Sequence, residues 1–296
     1  MIRPGLSVLI PVFNWDVNEL VKALVAQRTN WPGPVEIIVF DDGSNEAARA
    51  LNRPLAQQPG VRYHELKQNI GRAAIRNQLA AAAQHEWLLL LDSDSLLPDS
   101  QFLARYAAAR SRAAVVIGGT CYAQLPPPDS ALRLRWLYGQ AREARPATVR
   151  QQAPHAQLSI NNALIRADIF RRYPLDEQLS GYGHEDTKFG QVLAAANIEV
   201  LHLDNPVLHD GLEPASTFLA KSEEAVRNLT RLHRQADTPD SRLLQAVGRV
   251  RTWGLATLAK AALGAAEPRL RRNLLSPKPN LRAFDLLKMH WLLQLL

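Results

Sequence analysis

Apolar runs recur along the first half of the chain, and polar segments with a different apolar period separate them. Residues 6–12, 35–40 and 61–66 read as strands, and Trp87-Leu-Leu-Leu-Leu91 is an apolar run that stops abruptly at Asp92. A run without polar alternation describes a strand buried on both faces, as at the centre of a parallel sheet. Between the runs the period becomes helical. Leu20, Leu24 and neighbouring valines stripe residues 17–27, with Asn14 and Asp16 as candidate caps. Ser44 is a candidate cap for an alanine-rich helix over 45–57, residues 69–77 open a helix reaching about His85, and Asp99 is a candidate cap for the next one. Strand alternating with helix predicts an α/β fold with an open, mostly parallel central sheet covered by helices.

Beyond the central strand, residues 114–117 read as a strand and Pro126-Pro-Pro128 as a rigid break. A helix is predicted over 130–144, a strand over 158–166 and a short helix over 167–173. A glycine-rich stretch at 180–188 leads into a helix ending near Ala196, followed by a strand at 199–203 and a loop at 205–212. Helical patterns then cover 217–234, 242–263 and 281–296.

Composition narrows the class. The 296 residues suffice for one large α/β domain with appendages, and 47% hydrophobic with 21% charged residues excludes wholesale disorder. Cys121 is the only cysteine, so an intramolecular disulfide or cysteine zinc site is excluded. The start enters a strand pattern without a signal-like segment and no run of about 18 apolar residues occurs, which predicts a cytoplasmic protein. The net charge of +7 is concentrated: residues 241–296 hold ten Lys/Arg against Glu267 and Asp285. A basic tail on a near-neutral body points to an anionic surface met by the tail, and basic residues are not interleaved with aromatics as nucleic-acid binding requires. No G-x-G-x-x-G follows the first strand, which disfavours a dinucleotide-dependent oxidoreductase.

The candidate chemistry sits at strand ends. Asp92 and Asp94 are two apart, so in an extended chain they share a face and can converge on one hard cation. Asp41-Asp42-Gly43-Ser44 again places paired acids, here adjacent, at the end of a buried run, and Glu185-Asp186 lies where a glycine-rich loop feeds a helix. The competing reading is local: Asp and Ser favour turns and caps, and acids favour helix N-termini.

Ser7 through Asn14, Asp41-Asp42-Gly43-Ser44, Asn69-x-Gly71 with Arg76-Asn77, Asp92-Ser93-Asp94 and Gly183-His-Glu185-Asp186 follow one another over roughly residues 5–235. In this order the chain resembles family 2 glycosyltransferases, which implies the GT-A nucleotide-diphosphosugar fold. The resemblance makes Pro11 and the following turn a wall of the base site. It makes Asp41 and Asp42 acceptors for uracil or ribose groups, Gly71 a point of close backbone approach, and Arg76 a basic group near the nucleotide. Asp92 and Asp94 resemble the DxD pair that holds the diphosphate through Mn²⁺ or Mg²⁺. Asp94 is then the direct ligand, Asp92 shares the metal or holds the ribose, and His209 completes the site, ahead of His202 and His184. Asp186 falls at the general base, with Glu185 as its understudy or as a positioner of the acceptor. The implied reaction is a single displacement with inversion, from a nucleotide-diphosphosugar, a uridine one foremost, to a hydroxyl of a glycan, lipid-linked or small-molecule acceptor. Cys121 reads as a small packed residue.

The domain expectation is a catalytic domain over 1–235, with a nucleotide-binding half to 120 and an acceptor half from 121, then a basic helical extension over 236–296. Phe284, Leu287, Trp291 and Leu295 stripe the last helix, which fits either peripheral contact with an anionic inner membrane face or burial against protein, including a homodimer contact. Alternatives to catalysis by transfer are a non-catalytic nucleotide-sugar-binding or scaffold protein and a sugar nucleotidyltransferase. The latter calls for a glycine-rich, basic signature near the first strand, which residues 6–16 lack.

Overall fold

The computed structural model describes residues 3–178, 185–234 and 241–296. The chain forms two compact units. The first comprises the described residues of 3–121, 144–178 and 185–211; the second comprises those of 122–143 and 212–296.

The first unit begins with β1 (Arg3–Val12), α1 (Asn18–Ala26), β2 (Val35–Asp41), α2 (Glu46–Asn52), β3 (Val61–Glu65), α3 (Arg72–Ala82) and β4 (His85–Leu91). A two-residue strand β5 (Ser95–Leu96), α4 (Phe102–Ala109), β6 (Val115–Ile117) and a second short strand β7 (Thr120–Cys121) follow. In the second unit, α5 (Arg133–Tyr138) continues into a π turn at Gly139–Glu143. The first unit resumes with α6 (Ala147–Arg150), β8 (Asn162–Arg166), α7 (Ala167–Arg172), α8 (Glu185–Ala195), β9 (Val200–His202) and β10 (Val207–His209).

Seven strands form the main sheet in the order β3-β2-β1-β4-β8-β6-β9. β1, β2, β3 and β4 are mutually parallel, β8 runs antiparallel to β4 and β6, and β9 is parallel to β6. The order reverses beside β1, so the carboxyl ends of β1 and β4 border the topological switch point where α/β sheets bind ligands. The leucine run behaves as its pattern predicts. Trp87, Leu89 and Leu91 join the core under one face with Val8, Ile10 and Phe102, while Leu88 and Leu90 join the other with Leu9, Ile38 and Phe170.

Several local expectations change. α2 is capped by Asn45, whose side chain accepts from the Ala48 amide, because Ser44 Oγ is taken by the Asn14 amide at 2.8 Å. The strand expected at 158–166 pairs only from Asn162. The loop expected at 205–212 contains β10, which lies between β5 and β7 in a three-stranded sheet with His209 opposite Ser95.

The second unit continues with α9 (Ala215–Arg234), α10 (Arg242–Thr252), α11 (Ala256–Leu274) and α12 (Leu281–Leu295). The helix read as continuous over 242–263 breaks at Trp253-Gly254, where Gly254 takes φ +71°. The compact units do not divide at residue 235. Phe218, Leu219, Val226 and Leu229 of α9 and Leu134 of α5 share one core with Phe284, Leu287 and Trp291 of α12, since each apolar stripe must be buried against another. The stripe of α12 is therefore covered by protein, the second of its two expected fates. None of the described helices is long and apolar enough to cross a membrane.

Leu89 is fully buried in β4, in the core under one face of the sheet. Leu89→Ala is expected to lower unfolding free energy by about 2–5 kcal/mol in urea titrations of the full chain.

Candidate active site

The turns after β1 and β2 are stitched together before any ligand is considered. Asn14, at φ +52°, accepts from the Asn45 amide at 2.8 Å. Asp41 is fully buried: its Oδ1 accepts from the Ser44 amide at 2.7 Å and lies 3.5 Å from Arg49 Nε. With its other oxygen buried as well, Asp41 holds the turn and is not presented to a nucleotide. Asp42 binds the next loop, accepting from the amides of Ile70 at 2.7 Å and Gly71 at 3.3 Å. Burial raises the Asp42 carboxyl above the usual range, although those two amides oppose the shift. Gly71 has φ +92° and nothing beside the position a Cβ would take, so its need is conformational and the space in front of it is open. Pro11 is the penultimate residue of β1, opposite Phe40, and Phe13, just past the strand's end, is an exposed aromatic.

At the end of β4, Asp92 is held by cations. Arg76, only 4% exposed, donates from Nη2 to Asp92 Oδ1 at 2.5 Å, and Arg72 Nη2 lies 3.7 Å from Oδ2. Burial alone would raise the Asp92 carboxyl, but the two guanidinium groups outweigh it and hold the group below the usual range. Arg76 also brings Nη1 to 3.9 Å from Glu185 Oε2 at the start of α8. A buried arginine of α3 thus links the carboxyl end of the central strand to the acids expected to do the proton chemistry. The glycine-rich stretch before Glu185, including His184, lies outside the described residues.

Asp186 accepts from Ser159 Oγ at 3.2 Å, and Ser159 is in turn 2.8 Å from Asn161 Oδ1. Burial raises both Asp186 and Glu185 above the usual carboxylate range, with Arg76 acting in the opposite direction. The 159–161 segment joins the two acidic groups, because the Asn161 carbonyl accepts from the Asp92 amide at 3.1 Å. Its anchor is the fully buried Asn162. That side chain donates to the carbonyls of Gly119 and Asn205 at 2.8 Å and accepts from Tyr106 Oη at 2.6 Å, tying β8 to the approaches of β7 and β10.

Asp94 turns to the small sheet. His209 Nδ1 is 3.4 Å from Asp94 Oδ2, and the Asp94 carbonyl accepts from the Asp210 amide at 2.9 Å. Gly211 packs so closely that a Cβ there would overlap the Asp94 carboxylate. A carboxylate oxygen and an imidazole nitrogen facing each other suit a corner of a Mn²⁺ or, less well, a Mg²⁺ coordination shell. Asp92 does not extend this corner, since both its oxygens face arginines. Among the described residues no three His, Cys, Asp or Glu side chains form a metal cluster. The pair therefore fits an ion that draws its other ligands from diphosphate and water. His202 is occupied elsewhere, 2.9 Å from the Pro154 carbonyl and 2.6 Å from Arg150 Nη1. Cys121 is half-buried, and burial pushes its thiol up, away from reactivity.

Tertiary packing adds Arg72, Ser159, Asn161 and Gly211 to the residues read from sequence. Ser159 and Asn161 left a weak signal as polar positions in the otherwise apolar 158–166 stretch; Arg72 and Gly211 left none.

Comparison with known proteins identifies the family and the fold. The model of the glycosyl transferase family 2 matches residues 7–173. A validoxylamine A glucosyltransferase of Streptomyces hygroscopicus subsp. limoneus is 28% identical over 223 residues, 66% of this chain and 49% of the relative. The chain thus spans about half the length of that relative. TarP of Staphylococcus aureus, a poly(ribitol-phosphate) beta-N-acetylglucosaminyltransferase, is 34% identical over 94 residues, 31% of this chain and 28% of its own. Among solved structures, the mannosyltransferase PcManGT of Pyrobaculum calidifontis with GDP-Man and Mn²⁺ superposes with a TM-score of 0.61 at 16% identity, covering 98% of this chain and 86% of its own. S. aureus TarS 1-349 with UDP gives 0.51 at 18% identity over 76% of this chain and 65% of that one. These likenesses show the GT-A fold.

The raised carboxyl of Asp186 has a consequence for stability. A carboxyl whose pKa is higher folded than unfolded binds more protons in the native state, so stability is lost as pH rises through that range. Asp186→Asn removes the loss. Its melting temperature at pH 7 is expected to equal or exceed that of the parent, with the difference shrinking in acid.

Proposed function

The chain belongs to glycosyl transferase family 2, and from that premise we propose that it moves a sugar from a nucleotide-diphosphosugar to an acceptor hydroxyl with inversion at the anomeric carbon. The observation that carries this reading is the Arg76 bridge between Asp92 and Glu185. It keeps a donor-side carboxylate and two candidate bases along one edge of the sheet, where an in-line displacement needs them.

In this mechanism the acceptor oxygen attacks the anomeric carbon as its proton passes to a carboxylate, and the bond to the diphosphate oxygen breaks with its electron pair leaving on the nucleotide. Asp186 is the better base. Ser159 orients it, whereas Glu185 brings its Oε2 to 3.9 Å from Arg76 Nη1 and serves to position the acceptor. Asp94 and His209 would hold the metal, which when bound offsets the charge developing on the diphosphate. Asp92, neutralised by Arg76 and Arg72, is suited to ribose or diphosphate contacts and to fixing the end of β4. The Asp42-bound loop and the exposed ring of Phe13 border the same edge and suit the base and ribose. The donor nucleotide is UDP or GDP, each bound in one of the two solved structures described above, with UDP preferred. The named acceptors of the relatives, validoxylamine A and poly(ribitol-phosphate), are unlike each other, so the acceptor is assigned only as a hydroxyl of a glycan, lipid-linked or small molecule.

Calorimetric titration of UDP and GDP with Mn²⁺, with Mg²⁺ and with chelator tests the donor side. One nucleotide is expected to bind in a metal-dependent way, and Asp94→Ala and Gly211→Ala should each weaken it by about tenfold or more, the latter by displacing the Asp94 carboxylate. Loss of metal dependence without loss of binding would remove Asp94 and His209 from the metal.

Single-turnover kinetics test the base. Asp186→Asn should reduce turnover by about 10²–10⁴-fold with donor affinity unchanged. In the parent the rate should rise with pH along an acid limb above the ordinary carboxylate range, since burial raises the group that must be ionised to act, and that limb should vanish in the variant. A larger loss in Glu185→Gln would transfer the role to Glu185.

A further inference from the structure

The second unit turns a corner to solvent between α10 and α11. α10 ends at Trp253, Gly254 reverses the chain, and α11 starts at Ala256. Trp253 is 70% exposed, Leu258 67% and Leu255 46%. On α11, Ala256, Ala259, Leu263, Leu270 and Leu274 pack into the helical core. The opposite face carries exposed Leu258, Ala261, Ala262 and Ala265 at helical spacing, without a charge among them. Arg249, Arg251 and Lys260 flank it, all exposed. From residue 241 to 266 the chain contains no Asp or Glu.

We infer that this corner docks on an anionic lipid surface. Trp253, Leu255 and Leu258 enter the boundary between headgroups and acyl chains, where an amphipathic indole is at home, and the flanking cations meet lipid phosphates. A lipid surface supplies an apolar layer and negative charge together and requires no complementary groove. A second copy of the chain is a poor occupant: a two-fold contact would set this acid-free cationic patch against itself. Nucleic acid would leave the Leu and Ala face of α11 unused. The inference also relocates the membrane contact expected from the sequence, because α12 has its Phe284, Leu287 and Trp291 buried. It stands on the second unit alone and is read without any turnover.

The test is co-sedimentation of the full chain with phosphatidylcholine vesicles made with and without phosphatidylglycerol, at low and high salt. Binding is expected only with phosphatidylglycerol and should weaken with salt. The double variants Trp253→Ser with Leu258→Ser, and Arg249→Glu with Arg251→Glu, should each lower partitioning by about tenfold or more with melting temperature unchanged. Leu51→Ser, an exposed leucine of the first unit, should leave it unaltered. Failure to pellet with anionic vesicles, or equal pelleting of both double variants and the parent, would overturn the inference. So would a dimer in sedimentation velocity that these variants dissociate, which would make the corner a contact between copies.

Discussion

A guanidinium that is 96% out of water needs polar partners, and Arg76 finds its own in Asp92 and Glu185, which ties together the edge assigned to catalysis. Its position on the first turns of α3 follows from Gly71, whose positive φ lets the chain leave the Asp42-bound loop and enter the helix at once. From there it reaches Asp92 on the central strand and Glu185 on α8. Removing any one of these acids leaves a buried charge short of a partner, so a contact needed for folding also aligns the groups assigned to chemistry.

The division of labour between neighbouring acids follows from their surroundings. Asp92 faces two arginines and stays ionised; Asp94 faces an imidazole and can take a cation; Asp186 faces a hydroxyl and resists ionisation because it is buried. Asp41 and Asp42 differ in the same way, one spent on its own turn and on Arg49, the other on the loop that opens α3. Identical side chains therefore acquire separate roles through which groups the packing places within about 4 Å.

The second unit obeys a simpler rule. Each of its helices carries an apolar stripe, and α9, α11 and α12 bury theirs together with Leu134 and Tyr138 of α5. Its surplus positive charge is left on the outside. At the corner around Trp253 apolar side chains and cations are exposed side by side, which is why a partner of mixed apolar and anionic character suits it.

The sequence by itself determined the sheet class, the centrality of the strand after Trp87 and the placing of acids at strand ends. Those features are written in local periodicity and in abrupt changes from apolar to polar, and neighbours along the chain suffice to read them. The family resemblance was legible for the same reason, since its motifs are short and contiguous. Which acids face solvent, cation or hydroxyl was decided only by tertiary structure. The pairing of His209 with Asp94 depends on a three-residue strand formed across more than 100 positions of sequence, and the Ser159 contact to Asp186 on packing between a loop and a distant helix. The fate of α12 was open for a related reason. An amphipathic stripe states that something apolar must cover it, and only the positions of α9 and α11 supply what does.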